Sequence, residues 1–540
     1  MDTFDYVIVG AGSAGCVLAA RLSEDPAVKV LLLEAGPRDR DPLFKIPAGW
    51  GKVSSDPRYA WLYRTETHAA FTGHPMTMPR GRVMGGSSTI NGMVYVRGQP
   101  ADYDQWAEMG AEGWSWRDLF PYFKALEDWA PGADTYRGQG GPLKASPLME
   151  QPHPLSRLIM QAAQEAGLPF NADYNGASQE GVAWTQLSAR NHQRCSAAHA
   201  YLHPVLSRPN LKVETGALAT RLLFDGLHAV GVEYRQDGVL REARAGREVL
   251  LSGGAINTPQ LLLLSGIGPG TGLQKMGIPV VADRAGVGAN LQDHLVVPVA
   301  FRLKAGAPSM NRELGGLGMI ATVLKFLLAK RGPMNMPAGE VSIFCRSTPD
   351  KARPDLQFHC LPLSGDMEAK YRDGVDKPHR TPGMTIAPYP MHPRSRGSVT
   401  LNSTSPEDAP RVDPNYLDHE DDWQATFNGI EWARRIARAP ALAPWVDAEL
   451  YPGAETRTDE ALRHAIAHGT STGHHPIGTC RMGRDADSVV DNELRVRGVE
   501  GLRVVDASVM PCLISGNTNV PTIAIAERAA DLIRGRRPRV

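Results

Sequence analysis

A glycine-rich turn close to the N-terminus constrains the fold more than any other feature of the sequence. A run of β-forming residues from Tyr6 to Val9 leads directly into the turn Gly10-Ala-Gly12-Ser-Ala-Gly15. Small residues and leucines at 13–23 predict a helix, and the apolar run at 28–33 predicts a second buried strand. Strand, glycine turn, helix and strand form a βαβ unit, whose parallel strands need helices on both faces of the sheet. The sequence therefore predicts an α/β fold with a doubly wound, Rossmann-like parallel sheet.

The glycine turn has the spacing of a dinucleotide-binding motif. Gly10 permits the tight turn, Gly12 lets the backbone approach a pyrophosphate, and Gly15 lets helix and strand pack closely. Glu34 follows the second apolar run and can accept hydrogen bonds from ribose hydroxyls, which argues against a 2′-phosphate on that ribose. We expect an adenine dinucleotide here, and the motif by itself does not separate FAD from NAD.

Composition excludes several classes of partner. The 540 residues carry 58 positive and 58 negative side chains, so the chain as a whole has no electrostatic attraction to nucleic acid or to anionic lipid. A chain of this length exceeds a single hydrophobic core, and we expect two domains. The six cysteines are scattered without metal or disulfide spacing, and the N-terminus lacks the pattern of a signal peptide. These features predict a cytoplasmic protein that binds a small molecule and no metal.

One apolar stretch, from Leu314 to Ala329, raises the question of a membrane. It is too short to span a bilayer, and Lys325 and several glycines interrupt it. Its periodicity predicts a helix packed in or between the domains, with a surface that rests on a membrane as the alternative.

The middle of the chain differs from its two ends. Extended patterns at 355–363 and 385–401 predict an antiparallel sheet, in which Pro388, Pro390 and Pro393 should sit at edges or bends. This part has the character of a separate, substrate-facing domain.

The C-terminal segment shows the same alternation of strand and helix as the N-terminal segment. Residues 502–505 predict a strand, and 522–533 predict a helix with Glu527 and Arg528 facing water. We therefore expect a nucleotide-binding domain built from 1–155, 195–305 and 465–540, and a substrate-binding domain built from 156–194 and 306–464.

A second glycine-rich loop, from Arg80 to Gly92, is too polar for a core strand and is suited to run along a cofactor. With four later segments it forms an ordered set that extends over nearly the whole chain: GRVMGGSSTINGM at 81–93, GGAINTPQLLLLSGIG at 253–268, GVGANLQDH at 286–294, HHPIGTCRMG at 474–483 and VVDASVMPCLISGNTNVPTIAIAERAADLI at 504–533. On these segments the chain resembles the glucose-methanol-choline (GMC) oxidoreductase family, and within it the bacterial choline-dehydrogenase-like alcohol dehydrogenases. The resemblance implies a Rossmann-like FAD-binding domain that is discontinuous in sequence, and a substrate domain with an antiparallel sheet flanked by helices.

The resemblance implies FAD as the cofactor, with the second glycine-rich loop next to the flavin. In some family members a histidine of that loop holds the flavin covalently. The matching residue here is Ile90, which has no nucleophilic atom, so noncovalent FAD is expected. The residues expected to bind FAD are Gly10, Gly12, Ser13, Ala14, Gly15, Glu34, Ala35, Arg82, Gly85, Gly86, Ser87, Asn91, Gly92, Met93, Val94, Ala219, Asp506, Ala507, Asn517 and Pro521.

The resemblance also implies that His475 is the active-site histidine and that Asn519 is its partner. Oxidation of an alcohol needs a base within hydrogen-bond reach of the hydroxyl, and a neutral imidazole meets that need. An asparagine amide can donate to the developing alkoxide without losing a proton. Asn517, two residues before Asn519, is expected to hold its segment by turn hydrogen bonds.

The chain departs from the family pattern beside this histidine. Relatives often have an apolar or aromatic residue there, whereas this chain has Gly473 and His474. Adjacent residues of an extended segment point to opposite sides, so one histidine of the pair should face the flavin, and His475 is the choice. His474 is expected to shape the substrate pocket or the pKa of the base.

The expected activity is oxidation of a primary alcohol to the aldehyde by hydride transfer to FAD. A quinone-like or artificial acceptor is favoured over O2 for reoxidation, and peripheral membrane contact is part of the expectation. The alternatives are an oxygen-using alcohol oxidase, a flavin-containing hydroxynitrile lyase, a nucleotide-binding protein without catalysis and an NAD-dependent dehydrogenase. Choline as the substrate would need an aromatic cage or a carboxylate, for which Trp50, Trp61, Trp184 and Glu340 are candidates.

Overall fold

The protein is described by a computed structural model over residues 3–67, 75–147, 152–315, 317–365 and 378–539. The strands are, in chain order, β1 (Thr3–Val9), β2 (Val30–Glu34), β3 (Ala60–Arg64), β4 (Thr77–Gly81), β5 (Glu127–Trp129), β6 (Leu143–Ala145), β7 (Gly181–Trp184), β8 (Ala189–Arg190), β9 (Gln193–Arg194), β10 (Leu211–Thr215), β11 (Ala217–Asp225), β12 (His228–Gln236), β13 (Val239–Leu251), β14 (Ile267–Gly268), β15 (Ala282–Asp283), β16 (Leu295–Val296), β17 (Val299–Leu303), β18 (Val341–Cys345), β19 (Leu356–Leu361), β20 (Gly383–Pro390), β21 (Ser398–Thr400), β22 (Arg411–Asp413), β23 (Val446–Tyr451), β24 (Ser471–Thr472) and β25 (Leu502–Val504). The helices are α1 (Ser13–Leu22), α2 (Trp50–Val53), α3 (Ser87–Ile90), α4 (Pro100–Glu108), α5 (Trp116–Leu126), α6 (Pro154–Glu165), α7 (Gly254–Leu264), α8 (Gly270–Lys275), α9 (Leu317–Ala329), α10 (Glu420–Ala437), α11 (Asp459–Gly469) and α12 (Asn519–Ile533).

The first large sheet contains the predicted βαβ unit. Strands β10, β2, β1, β13 and β25 lie side by side and parallel, while β11 and β12 continue the sheet as an antiparallel hairpin on β13. Because these strands come from three separated parts of the sequence, the sheet is discontinuous along the chain. The predicted parallel sheet is confirmed.

The second large sheet is antiparallel, with the strand order β23-β17-β20-β19-β18-β7, and helices α6 and α10 pack on it. The predicted antiparallel sheet is confirmed at β19 and β20. Strand β17, however, belongs to this sheet, although the predicted boundary at residue 305 assigns it to the nucleotide-binding domain. That boundary therefore comes at least one strand too late.

Two prolines lie inside this sheet rather than at an edge strand. Pro388 and Pro390 are part of β20, which has β17 on one side and β19 on the other. The carbonyl of Pro388 accepts from the amide of Val297, so its nitrogen also points toward the β17 side, where the β17–β20 ladder has already ended at Val299 and Ile386. The missing amide hydrogen therefore removes no ladder bond, which is why the expected edge position is not needed.

The last helix is buried on more sides than its sequence pattern indicates. Helix α12 packs against both α1 and α5, and Glu527 is fully buried. Its carboxylate accepts from the guanidinium of Arg21 at 2.7 Å and from that of Arg539 at 2.9 Å. The expectation that Glu527 and Arg528 face water is wrong, because paired cations compensate the buried acid.

Helix α9 corrects a second expectation. It spans Leu317–Ala329 and so begins three residues after the start of the predicted stretch at Leu314, and only Thr322 and Phe326 of its side chains are buried. The helix therefore lies on the protein with most of its apolar surface exposed, and is not packed in or between domains. Within the described residues, no helix combines the length and apolar character that crossing a bilayer requires.

Candidate active site

A large cavity of about 1290 Å³ lies between the two sheets and is lined by residues of both. The residues that line it come from the first glycine turn, the second glycine-rich loop, β11, the second sheet and the motifs at 474–483 and 504–533. The predicted residues on this wall are Gly10, Gly12, Ser13, Ala14, Glu34, Ala35, Gly86, Ser87, Asn91, Gly92, Met93, Val94, Ala219, His475, Asp506, Ala507, Asn517 and Asn519. The sequence motifs, far apart in the chain, thus meet at one place.

Four predicted cofactor residues lie behind the wall: Gly15, Arg82, Gly85 and Pro521. Gly15 packs against the turn, since a Cβ atom there would lie 1.9 Å from the carbonyl oxygen of Gly10. Gly85 donates its amide to Ala11 at 2.7 Å, and the guanidinium of Arg82 stacks on Trp61. The first three residues shape the two loops rather than lining the cavity, and Pro521 lies in the first turn of α12.

Glu34 ends β2 and is tied to the glycine turn. Its two carboxylate oxygens accept the amides of Ala11, at 2.9 Å, and Gly36, at 2.8 Å. Burial raises the pKa of Glu34 to about 7, and the two amide donors oppose that shift. Each oxygen keeps a lone pair for a ribose hydroxyl, so the geometry fits the predicted role.

Two helix N-termini meet at the turn. Ser13 begins α1 and Asn519 begins α12, and the Ser13 hydroxyl donates to Oδ1 of Asn519 at 2.7 Å. Helix N-termini carry unpaired amides and partial positive charge, which suit a pyrophosphate. With Glu34 beside them, these groups fit an adenine dinucleotide such as FAD.

The second glycine-rich loop closes against the first. A Cβ atom on Gly86 would lie 2.6 Å from the Cα atom of Gly12, so the two turns are in direct contact. Asn91 is held by its Oδ1 atom, which accepts from the Met93 amide and from Arg194 at 2.7 Å. Ile90 lies on the cavity wall and offers only carbon atoms to a cofactor there.

His475 is held at its backbone and its ring by two consecutive residues. The carboxylate of Asp293 accepts the His475 amide at 2.6 Å and is itself fixed by Tyr416 and Thr472. The neighbouring His294 places its Nδ1 atom 3.0 Å from Nδ1 of His475. Both Asp293 and His294 are buried, so the imidazole of His475 has one well-defined position.

The proton positions on both imidazoles follow from the last partner of His294. Its Nε2 atom lies 2.9 Å from the carbonyl oxygen of Met391, which can only accept, so that nitrogen carries the proton. Burial lowers the pKa of His294 to about 3, and the neutral ring then accepts at Nδ1. His475 must therefore donate from its own Nδ1 atom.

This leaves the lone pair of His475 on Nε2. Burial, followed by the neighbouring imidazoles of His294 and His359, holds the pKa of His475 well below its ordinary value, so the ring is neutral at pH 7. A neutral imidazole whose Nε2 lone pair faces a cavity is a base ready to accept a proton.

The residue that meets this lone pair is Asn517, not Asn519. Nδ2 of Asn517 lies 2.9 Å from Nε2 of His475, and Oδ1 of Asn517 accepts from Nε2 of Gln357 at 3.2 Å. Asn519 is engaged with Ser13 instead. The expected pairing of His475 with Asn519 is thus wrong, because α12 begins at Asn519 and carries its side chain toward the first glycine turn.

His474 lies at the exposed rim of the same cavity. Its φ angle of 64° breaks the extended conformation, and its carbonyl oxygen accepts from Arg80 at 2.9 Å. Gly473 before it allows close packing, because a Cβ atom there would lie 2.8 Å from Cβ of His294. The departure from the family pattern therefore coincides with a tight approach to the residue that holds the ring of His475.

Sequence reasoning missed His294 and Gln357 as parts of the site. His294 closes the quoted segment GVGANLQDH, so its motif was visible, but its contact with a residue 181 positions later was not. Gln357 lies in a buried strand, where nothing in the local pattern distinguishes it.

Comparison with known proteins agrees with this arrangement. Two family models described as GMC oxidoreductase match residues 4–296 and 393–526. The chain is 44% identical to the mitochondrial choline dehydrogenase of Homo sapiens, over 99% of this chain and 90% of that protein. It is 42% identical to an alcohol dehydrogenase (acceptor) of Pseudomonas putida, over 98% of this chain and 95% of that protein.

A solved structure supports the same conclusion. Formate oxidase of Aspergillus oryzae RIB40, in a study of its FAD modification, superposes with a TM-score of 0.90 at 27% identity, covering 99% of this chain and 98% of that one. The cavity described above also has the groups that an adenine dinucleotide needs. The chain belongs to the GMC oxidoreductase family and is an FAD-dependent flavoprotein.

Proposed function

We propose that this protein oxidises a primary alcohol to the aldehyde with noncovalently bound FAD, and that His475 takes the hydroxyl proton. The observation that carries the proposal is the pair formed by Nε2 of His475 and Nδ2 of Asn517, 2.9 Å apart on the wall of the cavity. An alcohol oxygen within reach of both atoms meets one acceptor and one donor, as the reaction requires.

The proton step follows from the tautomer of His475. A bound alcohol would take the place of the Asn517 amide at the Nε2 lone pair; its hydroxyl proton then moves to Nε2, while the Nδ1 proton stays in its hydrogen bond to His294. The resulting imidazolium is stabilised because the neutral His294 ring presents its own lone pair. Bound FAD would supply the acceptor for the hydride that leaves the alcohol carbon.

Asn517 would stabilise the developing alkoxide. Gln357 donates to its Oδ1 atom, which directs the amide hydrogens toward His475 and the substrate oxygen. A donor fixed before the reaction begins needs no reorganisation as negative charge develops on that oxygen. The proposed catalytic pair is therefore His475 with Asn517, and Asn519 belongs to the cofactor-binding residues.

We propose an apolar alcohol rather than choline. Of the four candidates for an ammonium site, Trp184 and Glu340 are not among the described residues of the cavity wall, and Glu340 accepts the His153 amide at 3.0 Å. Trp50 and Trp61 do line the cavity, but Trp61 is covered by the Arg82 guanidinium, whose charge repels an ammonium. Apolar side chains line the cavity on this side: Leu361 and Ala387 come from the second sheet, where the polar His359 and Thr385 lie beside them, and Val296, Pro298, Met336 and Leu363 come from segments outside that sheet.

We also propose that a quinone-like acceptor reoxidises the flavin, and that the protein is cytoplasmic with peripheral membrane contact. The name of the Pseudomonas putida relative supports an acceptor other than oxygen. All six cysteines are free thiols and buried, which supports a reducing environment. An oxygen-using oxidase is the alternative, and readmission of air to reduced protein separates the two.

Anaerobic mixing of the purified protein with a panel of medium-chain, aromatic and choline-type alcohols tests the reaction itself. We expect loss of the flavin absorbance bands with a primary alcohol. The His475→Ala variant should retain the bands and reduce its flavin about 100-fold to 10,000-fold more slowly, because the proton has no acceptor. A wild-type flavin that no alcohol bleaches would contradict the proposal and favour a lyase.

Substitution of Asn517 and substitution of Asn519 should affect different properties, the rate of flavin reduction and the retention of FAD. Asn517→Ala should slow flavin reduction about 100-fold while the protein keeps its normal flavin content. Asn519→Ala, the matched control two residues away, should change the limiting rate less than about threefold and weaken FAD retention, since it removes one hydrogen bond at the first glycine turn. The reverse pattern would restore Asn519 as the partner of His475.

Noncovalent attachment has its own test. After acid precipitation, all of the flavin absorbance should appear in the supernatant, because the residue at the attachment position of covalent relatives, Ile90, has no nucleophilic atom. Flavin that remains with the washed precipitate would show a covalent link from another side chain.

A further inference from the structure

We propose that the exposed face of α9 is a docking surface for an anionic lipid bilayer, placed beside the mouth of the active-site cavity. This inference rests on the proposed function, because it gives the peripheral membrane contact proposed above a place on the protein and names the molecules that would enter from the lipid. Binding itself can be measured without any substrate.

The face is more apolar than a water-facing helix allows. Thr322 and Phe326, one turn apart, are the buried side chains of α9. The exposed ones include Leu317 at 84%, Ile320 at 59%, Val323 at 36%, Leu324 at 53%, Leu327 at 59% and Leu328 at 87%. Contiguous apolar surface of this kind marks an interaction site, whereas single exposed apolar residues do not.

The helix is anchored so that it presents this face outward. The Thr322 hydroxyl donates to the carbonyl of Glu313 at 3.1 Å, and Asn335 donates to the carbonyl of Lys330 at 2.6 Å. The Phe326 ring is buried and lies 4.8 Å from the Lys330 ammonium. Both ends of α9 are thus tied to the protein, and its apolar side chains on the opposite side are exposed.

The side chains around the exposed face of α9 are mostly positively charged, which favours an anionic lipid surface as the partner. Between residues 312 and 331 the exposed cations are Arg312, Lys325, Lys330 and Arg331, and Glu313 is the one acid among the described residues of that stretch. Glu313 is half-buried and lies 3.5 Å from His153. Cations around an apolar helix match lipid phosphates above acyl chains, whereas a second copy related by a twofold axis would bring like charges together.

The length of α9 determines how the helix would be oriented relative to the bilayer. Its 13 residues measure about 20 Å along the axis, too short to cross a bilayer, so the helix would lie in the plane of the interface with its leucines among the acyl chains. The stems of Lys325 and Lys330 are long enough to reach the phosphates from that depth.

The exposed face of α9 lies next to the active-site cavity, so a molecule could pass from the bilayer into the cavity. Met319 is 38% exposed on α9 and also lines the active-site cavity, as do Leu314 and Met334 just before and after the helix. An apolar alcohol or a quinone dissolved in the bilayer would therefore pass from lipid to cavity beside α9 without crossing water.

Vesicle flotation tests the surface directly. Purified flavoprotein is mixed with phosphatidylcholine vesicles, with and without phosphatidylglycerol, and the bound fraction is measured. We expect binding that rises with the anionic lipid, and a loss of at least about tenfold in the double variant Leu324→Glu/Leu327→Glu. The matched control is Leu227→Glu/Leu240→Glu, whose side chains are 55% and 54% exposed elsewhere on the protein and whose binding should equal that of the wild type.

Two further measurements separate failure of the proposed function from failure of the proposed docking surface. Anaerobic flavin reduction by a short, water-miscible alcohol should be unchanged in both double variants, so failure of that reaction in the wild type concerns the proposed function and not the surface. Lys330→Gln/Arg331→Gln should remove the preference for anionic lipid. The proposal is overturned if α9 variants bind vesicles as well as the wild type does, or if sedimentation shows a dimer that Leu324→Glu/Leu327→Glu dissociates.

Discussion

The site depends on one row of hydrogen bonds whose direction is fixed at both ends by the second sheet. The carbonyl of Met391, just after β20, can only accept, and Gln357 on the adjacent strand β19 donates from its amide. Between them lie His294, His475 and Asn517, each from a different part of the chain. Since every bond must point the same way, the row leaves Nε2 of His475 without a proton and turns the Asn517 amide toward that atom.

This dependence explains why two sheets are needed for one reaction. The parallel sheet and its two glycine-rich loops provide the groups that suit a dinucleotide. The antiparallel sheet holds Gln357 at one end of the row that orients His475, and it adds Leu361 and Ala387 to the cavity wall. Burial of the row also lowers the pKa values of both imidazoles, which keeps the base unprotonated at neutral pH.

The local patterns of the sequence predicted the βαβ unit and the antiparallel strands, and the resemblance to the GMC family implied most of the residues that line the cavity near the glycine turns. They could not predict contacts between distant segments. Asn517 and Asn519 differ only in which side of the α12 N-terminus they occupy, and that depends on where the helix begins. Glu527 looked like a surface residue because Arg21, which pairs with it, is 506 positions away. Helix α9 was predicted as a helix, but periodicity alone did not show that its apolar side is left exposed.

The pH dependence of the limiting rate of flavin reduction tests the central claim, that His475 is a neutral base with its lone pair at Nε2. Because the pKa of His475 is lowered from 6.5, the rate should be constant from pH 6.5 upward and should fall only as the pH drops below 6.5. The His475→Ala variant should show no such fall. A rate that is lost between pH 9 and pH 7, or one that rises as the pH falls, would contradict this account.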